Sequence, residues 1–214
     1  MHLKAKDFKK IFAAWSKVMT EKMDYLVTLD QVAGDGDLGL TMSDGFGAMD
    51  AYVSKADDDA DLGQLFFTAG KEMNIHASSS LGTLISSGFM EAGKAFKGQN
   101  SMSGCELAKL LEAVEAGIVK RGKAAVGEKT FLDGFHPAVE IMNANTDEEK
   151  VLLTLREAAS AAQQGSASTV GMLAKWGRAA RRGEDSRQIL DPGSVVAALI
   201  ISTLSDTVNA EDFQ

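Results

Sequence analysis

The spacing of its apolar residues is what most restricts how this chain can fold. Between residues 6 and 28, Phe8, Ile11, Phe12, Trp15, Val18, Met19 and Leu26 recur three or four positions apart. That spacing lines them along one face of a single amphipathic helix and predicts that they pack into a core. Similar stripes run from Leu62 to Met73, Leu81 to Phe96, Leu107 to Ile118, Val151 to Ala162 and Ser194 to Leu204. No alternating strand pattern competes with them. The chain has only 2 prolines, and its 21 glycines gather between segments, so helix is the dominant local state. Ser103 with Glu106 and Thr146 with Glu149 have the spacing of capping boxes. Asp191-Pro192 reads as an N-cap followed by a proline at the first helical position, and Gly122 sits where a C-terminal glycine cap would. Together these signals predict an all-α chain of about eight helices, with its chemistry in the glycine-containing connections.

Composition narrows the function classes. A chain of 214 residues that is 45% hydrophobic can bury one sizeable core, so one domain over residues 1–214 is expected. A formal charge of -8 leaves no basic surplus to neutralise a phosphate backbone, which argues against a nucleic-acid partner. Cys105 is the only cysteine and cannot form an internal disulfide, which fits a reducing cytoplasm. The N-terminus alternates charged and apolar residues, and no stretch approaches the roughly 18 to 20 apolar residues of a membrane span. A soluble, cytoplasmic protein without a membrane partner is expected.

Four runs could carry chemistry. In the first, residues 29–39, Asp30, Asp35 and Asp37 lie among Gly34, Gly36 and Gly39. Glycines on both sides of Asp35 let the backbone curl and aim several carboxylates at one point, where a hard divalent cation would relieve their repulsion. The spacing does not suit an EF-hand loop, and taken alone the run reads equally as a solvated acidic turn. The second run, His76 to Thr83, leads small hydroxylated residues into an apolar helix. It serves as a phosphate cradle or as an ordinary serine N-cap, and His76 as a satisfied polar residue. The third, Lys120 to Thr130, is densely cationic and could counter phosphate charge or simply be a solvated face. The fourth, Lys175 to Gly183, places Arg178 beside Gly177 with room to approach a ligand, and a guanidinium fork suits phosphate. No Walker A loop or Rossmann fingerprint is present.

Together and in this order, the runs resemble the DhaL family, the nucleotide-binding subunit or domain of dihydroxyacetone kinases, across nearly the whole chain. Asp30 with Gly34-Asp35-Gly36-Asp37-Leu38-Gly39 matches the family's aspartate followed by Gly-Asp-x-Asp-His-Gly. Arg121-Gly122-Lys123-Ala124, Gly127-Glu128-Lys129-Thr130, Trp176-Gly177-Arg178-Ala179 and Asp191-Pro192-Gly193 match its later elements. The resemblance implies an antiparallel barrel of about eight helices with ADP or ATP bound by the loops at one end. It implies two magnesium ions on Asp30, Asp35 and Asp37, and phosphoryl transfer served by those aspartates and Arg178. Nucleotide contacts are implied at Leu38, Gly39, Leu40, Thr41, Ser80, Leu81, Gly122, Thr130, Phe131, Arg178, Asp191, Pro192 and Gly193. The implied acceptor is dihydroxyacetone or a related small ketose on a DhaK-like partner. A chain of this length resembles free-standing subunits, in which a DhaM-like phosphocarrier of the phosphotransferase system rephosphorylates bound ADP. Pairing with a second copy of the chain stays open.

Three departures stand near the phosphates. Leu38 replaces the family histidine, Ser78-Ser79-Ser80-Leu81-Gly82-Thr83 replaces a Gly-Gly-Ala-Ser-Gly-Pro loop, and Ala180-Arg181-Arg182-Gly183-Glu184-Asp185-Ser186 replaces Ser-Tyr-Leu-Gly-Glu-Arg-Ser. They mark a divergent paralogue, and the alternative reading is a regulatory nucleotide-binding chain without phosphotransfer.

Overall fold

The computed structural model describes residues 1–145 and 147–210, the side chain of residue 210 excepted. Nine α-helices dominate the described residues: α1 Ala5–Glu21, α2 Met23–Gln31, α3 Leu38–Val53, α4 Leu62–His76, α5 Ser80–Ala95, α6 Glu106–Gly122, α7 Phe131–Ala144, α8 Val151–Ser168 and α9 Pro192–Ala210. The five stripes beyond residue 28 each map to one helix, with Phe96 at the C-terminal cap position of α5. The expected single helix over residues 6–28 is instead two, because Lys22 (φ -98°, ψ 6°) breaks it. Up to Met19 the stripe serves α1, and Leu26 is the buried residue of α2. One short antiparallel pairing was not expected: β1 His2–Lys4 lies against β2 Ser101–Ser103, with Leu3 opposite Met102, both buried.

Helix neighbours define a closed ring. In sequence, α1 packs on α3, α3 on α4, α4 on α5, α5 on α6, α6 on α7, α7 on α8 and α8 on α9, and α9 returns to α1, while α2 lies outside against α3. The closing seam is pinned by the Trp15 indole N–H donating to the Ile200 carbonyl (2.9 Å). Aromatic rings from α1, α3, α4 and α5 fill one half of the interior, with Phe8 edge-on to Phe66 (4.8 Å) and Phe12 edge-on to Trp15 (5.1 Å). Such pairs add about 1 kcal/mol each to the transfer free energy of their buried area.

The expected helix signals fare differently. Asp191 caps α9 by accepting the Ser194 N–H (2.7 Å), with Pro192 at the first helical position. Of the Ser103–Glu106 pair, the Glu106 carboxylate accepts the Ser103 N–H (2.8 Å). The Thr146–Glu149 pair falls on Thr146, outside the described residues. Gly122 is the last residue of α6 itself, and the left-handed cap position belongs to Lys123 (φ 64°).

Candidate functional site

The α2–α3 turn is built to converge its carboxylates. Asp30, in the last turn of α2, accepts the Gly36 N–H on its carboxylate (2.8 Å) and the Ala33 N–H on its carbonyl (3.1 Å), which folds the chain back over the helix end. Gly34 must be glycine here, since a Cβ would overlap the Asp30 carboxylate, and Gly36 holds φ 76°. As a result one carboxylate oxygen from each of Asp30, Asp35 and Asp37 lies within 4.8 Å of the other two. Among the described residues this is the one such trio of metal-ligating type. Desolvation, then the Asp35 and Asp30 charges, push the Asp37 carboxyl above the usual carboxylate range. Arg178 partly offsets that crowding by pairing with Asp35, reaching over from the long connection between α8 and α9. Three carboxylate oxygens with no nitrogen or sulfur donor suit a hard divalent ion such as magnesium, and leave coordination positions for phosphate or water.

Around this trio the implied nucleotide residues fall into groups. Leu38 is buried at the start of α3, so only its backbone can face a ligand. Gly39 packs against the Met23 carbonyl, Leu40 is 53% exposed, and the Thr41 hydroxyl donates to the Leu38 carbonyl (3.1 Å). Thr130 caps α7 by accepting the Leu132 N–H (3.2 Å), and Phe131 is buried, stacked on Phe135. Asp191, Pro192 and Gly193 come to the same place, for a Cβ on Gly193 would lie 3.5 Å from the Phe131 nitrogen. Burial, foremost, and the nearby Asp133 charge push the Asp191 carboxyl up to about 7, against the opposing Ser194 N–H and Lys129. Ser80 and Leu81 open α5 behind Ser79, whose hydroxyl accepts the Gly82 N–H (3.1 Å). They share the α5–α6 corner with Gly122, which faces Leu84.

The cationic third run behaves otherwise than the sequence suggests. Lys129 is buried, and its ammonium donates to the carbonyls of Thr169 and Ile189 instead of waiting for phosphate. Glu128, absent from the sequence-based choice, accepts from the Trp176 indole and the Lys175 ammonium. His76 is exposed, its Nε2 3.7 Å from Glu72. The sequence signals at Glu128 and Lys129 were the family-like run Gly127-Glu128-Lys129-Thr130 and its glycine at 127, which holds φ 86° in the turn, and neither showed which groups these side chains bind.

A closed ring of antiparallel helices, with an aspartate trio and an arginine where its connecting loops meet, defines the class: a helical barrel with a carboxylate cluster at one end that could hold a hard cation. The DAK2 domain family matches residues 32–206. The ADP-binding subunit DhaL of the PEP-dependent dihydroxyacetone kinase of Escherichia coli (strain K12) is 30% identical over 189 residues, 88% of this chain and 90% of that one. DhaL of PEP-dependent dihydroxyacetone kinase 1 from Listeria innocua serovar 6a is 34% identical over 188 residues, 87% of this chain and 88% of that one. The chain therefore belongs to the DhaL family of DAK2-domain proteins. Its fold is also that of the crystal structure of the C. freundii dihydroxyacetone kinase in complex with AMP-PNP and Mg2+ (TM-score 0.70, 22% identity), covering 92% of this chain and 33% of that one. The native form of that kinase gives a TM-score of 0.67 at 23% identity. The chain spans about a third of that kinase's length.

Proposed function

We propose that this chain is the nucleotide-binding subunit of a dihydroxyacetone kinase-type phosphotransferase, holding ADP or ATP through magnesium on Asp30, Asp35 and Asp37. The observation that carries the reading is the convergence of those three carboxylates opposite Arg178. Nothing in packing requires three mutually repelling charges in one turn, whereas a site for two divalent ions shared with phosphates does. Magnesium in such a site supplies charge neutralisation and alignment of the transferred phosphoryl group. The residues supply the rest. The guanidinium of Arg178 would leave Asp35 for phosphate oxygens and carry the charge that builds during transfer. Leu38, Gly39, Leu40 and Thr41 would offer backbone and hydroxyl groups beside the phosphates, with Ser80, Leu81 and Gly122 at the neighbouring corner. Thr130, Phe131, Asp191, Pro192 and Gly193 would form the opposite wall. The acceptor would be dihydroxyacetone or a related small ketose on a DhaK-like partner, and bound ADP would be rephosphorylated by a DhaM-like carrier. Relatives described as PEP-dependent kinase subunits of similar length support that division of labour.

Titration calorimetry tests the nucleotide half. ADP should bind in the presence of magnesium, lose at least tenfold in affinity with chelator, and fail to bind Asp35→Ala, whose helical circular dichroism should match the wild type. Binding of undiminished strength without magnesium would sink the metal assignment.

A further inference from the structure

The segment 170–190 that joins α8 to α9 carries Arg178, yet Arg178 is poorly held by its own surroundings. Its side chain is 58% exposed, and Gly177 before it holds φ 67° with open space where a Cβ would be. Apart from its ion pair with Asp35, its place over the acidic trio depends on where the segment is anchored. Two consecutive residues of the α6–α7 turn do that anchoring. The Lys129 ammonium donates to the Thr169 carbonyl at the end of α8 and to the Ile189 carbonyl just before α9, tying together the two ends of the segment. The same neck is closed by the Gly171 N–H on the Arg187 carbonyl (2.7 Å), the Arg187 guanidinium on the Gly171 carbonyl (2.7 Å) and the Asp191 N–H on the Thr169 hydroxyl (3.0 Å). Glu128 grips the middle: its carboxylate accepts from the Trp176 indole and the Lys175 ammonium (3.2 Å), and its carbonyl accepts the Lys175 N–H (3.3 Å). Arg178 lies only two positions beyond Trp176, a reach of at most about 7 Å of extended chain.

We propose that Glu128 and Lys129 are positioning residues for Arg178, fixing the 170–190 strap so that the guanidinium stays over the acidic trio. The inference rests on the proposed phosphotransferase reading for its consequence but not for its geometry. A buried ammonium is costly unless its donors are satisfied, and hydrophobic packing alone would be served by a neutral residue. What a cation adds at 129 is the ability to hold two carbonyls from opposite ends of one segment. The backbone agrees, since Lys129 holds φ 62°, an uncommon conformation outside glycine that turns adjacent side chains to different parts of the strap. On the Glu128 side, donors from Trp176, Ala125 and Lys175 hold the carboxyl down at about 2, so this anchor stays ionised at any working pH.

Two measurements test the proposal. The strap offers trypsin Lys175, Arg178, Arg181, Arg182 and Arg187, and cleavage there requires local opening. Glu128→Ala and Lys129→Met should each be cut between residues 175 and 187 at least tenfold faster than the wild type, at unchanged helical circular dichroism. This readout needs no activity, so it stands even if no acceptor is ever phosphorylated and the kinase reading fails. Should Lys129→Met not fold, Glu128→Ala alone decides. The second measurement is turnover with the ketose-binding partner. Glu128→Ala should lower kcat about tenfold with KM for the nucleotide within twofold, and should add nothing to the loss already caused by Arg178→Ala. Wild-type cleavage rates in the folded variants would overturn the anchoring. Losses that multiply in the Glu128→Ala, Arg178→Ala double variant would overturn the positioning role.

Discussion

Asp37 is asked to ionise beside two other carboxylates, and the cost of that falls on the metal-free protein. Desolvation and the charges of Asp35 and Asp30 raise its pKa, so the ionised form that prevails at neutral pH is the disfavoured one. Asp37→Asn should therefore melt above the wild type in chelator, by a margin that solvent screening of this exposed carboxylate keeps small. With magnesium and ADP the order should reverse, because only the wild type gains the stabilisation that ligand binding brings. A scan in both buffers checks both halves, and an unchanged order would show that the trio does not gather a cation. Asp191 offers a second titration with a different reach. Its folded pKa of about 7 lies above the ordinary 3.8 of an unfolded aspartate. The folded state thus binds the proton more tightly, and the stability it contributes is fully present below about pH 4 and lost as pH rises through 7. Asp191→Asn keeps an oxygen to accept the Ser194 N–H but cannot titrate. Denaturant midpoints measured from pH 4.5 to 8 should fall with rising pH more steeply in the wild type than in this variant. Of these site residues, the trio was legible because its density of charge among glycines is anomalous in any sequence. The burial of Lys129 was not, because a lysine in a cationic run looks solvated until the carbonyls that receive it, 40 and 60 residues away, are known.

At the scale of elements, the same physics explains which helices the sequence revealed. Helices α4, α5, α6, α8 and α9 each carry an apolar stripe, and their spacing alone places them. Helices α3 and α7 hide theirs. Gly39, Gly45 and Gly47 dilute α3, and each glycine counts about 1 kcal/mol against a helix when propensity is summed locally. The structure uses two of them for close approach, since a Cβ on Gly39 would overlap the Met23 carbonyl and one on Gly45 would overlap the Met73 sulfur. Helix α7 contains Pro137, which cannot donate to the Asp133 carbonyl one turn back. The capping box of Thr130 and Asp133 starts the helix securely enough to absorb that loss. Gly165 of α8 sits against this same Asp133 carbonyl, where a Cβ would overlap it. Gly165→Ala should therefore destabilise by about 2 kcal/mol through forced separation of α7 and α8, although alanine is the better helix former. A midpoint in denaturant equal to or above the wild type would show that the two helices can part freely. The break at Lys22 is the remaining discrepancy: apolar spacing continues across it, and only the packing of α2 on the outside of α3 turns the chain.

The whole molecule is a ring of helices whose loops gather the aspartate trio and Arg178 at one end, and in the proposed reading that end supplies the donor half of the transfer while the acceptor sits on a partner. A surface groove lies between α3 and α4, lined by Asp44, Tyr52, Lys55, Glu72 and His76, and none of the aspartate trio lines it. Phosphoryl transfer depends on an acceptor hydroxyl in line with the leaving oxygen, and positioning supplies most of its acceleration. A subunit that contributes only the donor half should therefore be nearly inert alone. Preloaded with ATP and magnesium, the purified chain should retain its γ-phosphoryl group when dihydroxyacetone or other small ketoses are added at millimolar concentration. Addition of the cognate ketose-binding subunit should release that group to the ketose within a single turnover, and Arg178→Ala in the same complex should slow release by about a hundredfold or more, the size of effect seen when one charge-stabilising donor is removed. Single-turnover quench experiments with labelled ATP measure each step. Transfer by the chain alone would mean that the acceptor site lies within this ring. A complex that forms, binds ATP and releases nothing to any ketose would favour the regulatory reading, with buried Leu38 and the serine-capped start of α5 as the places where transfer was lost.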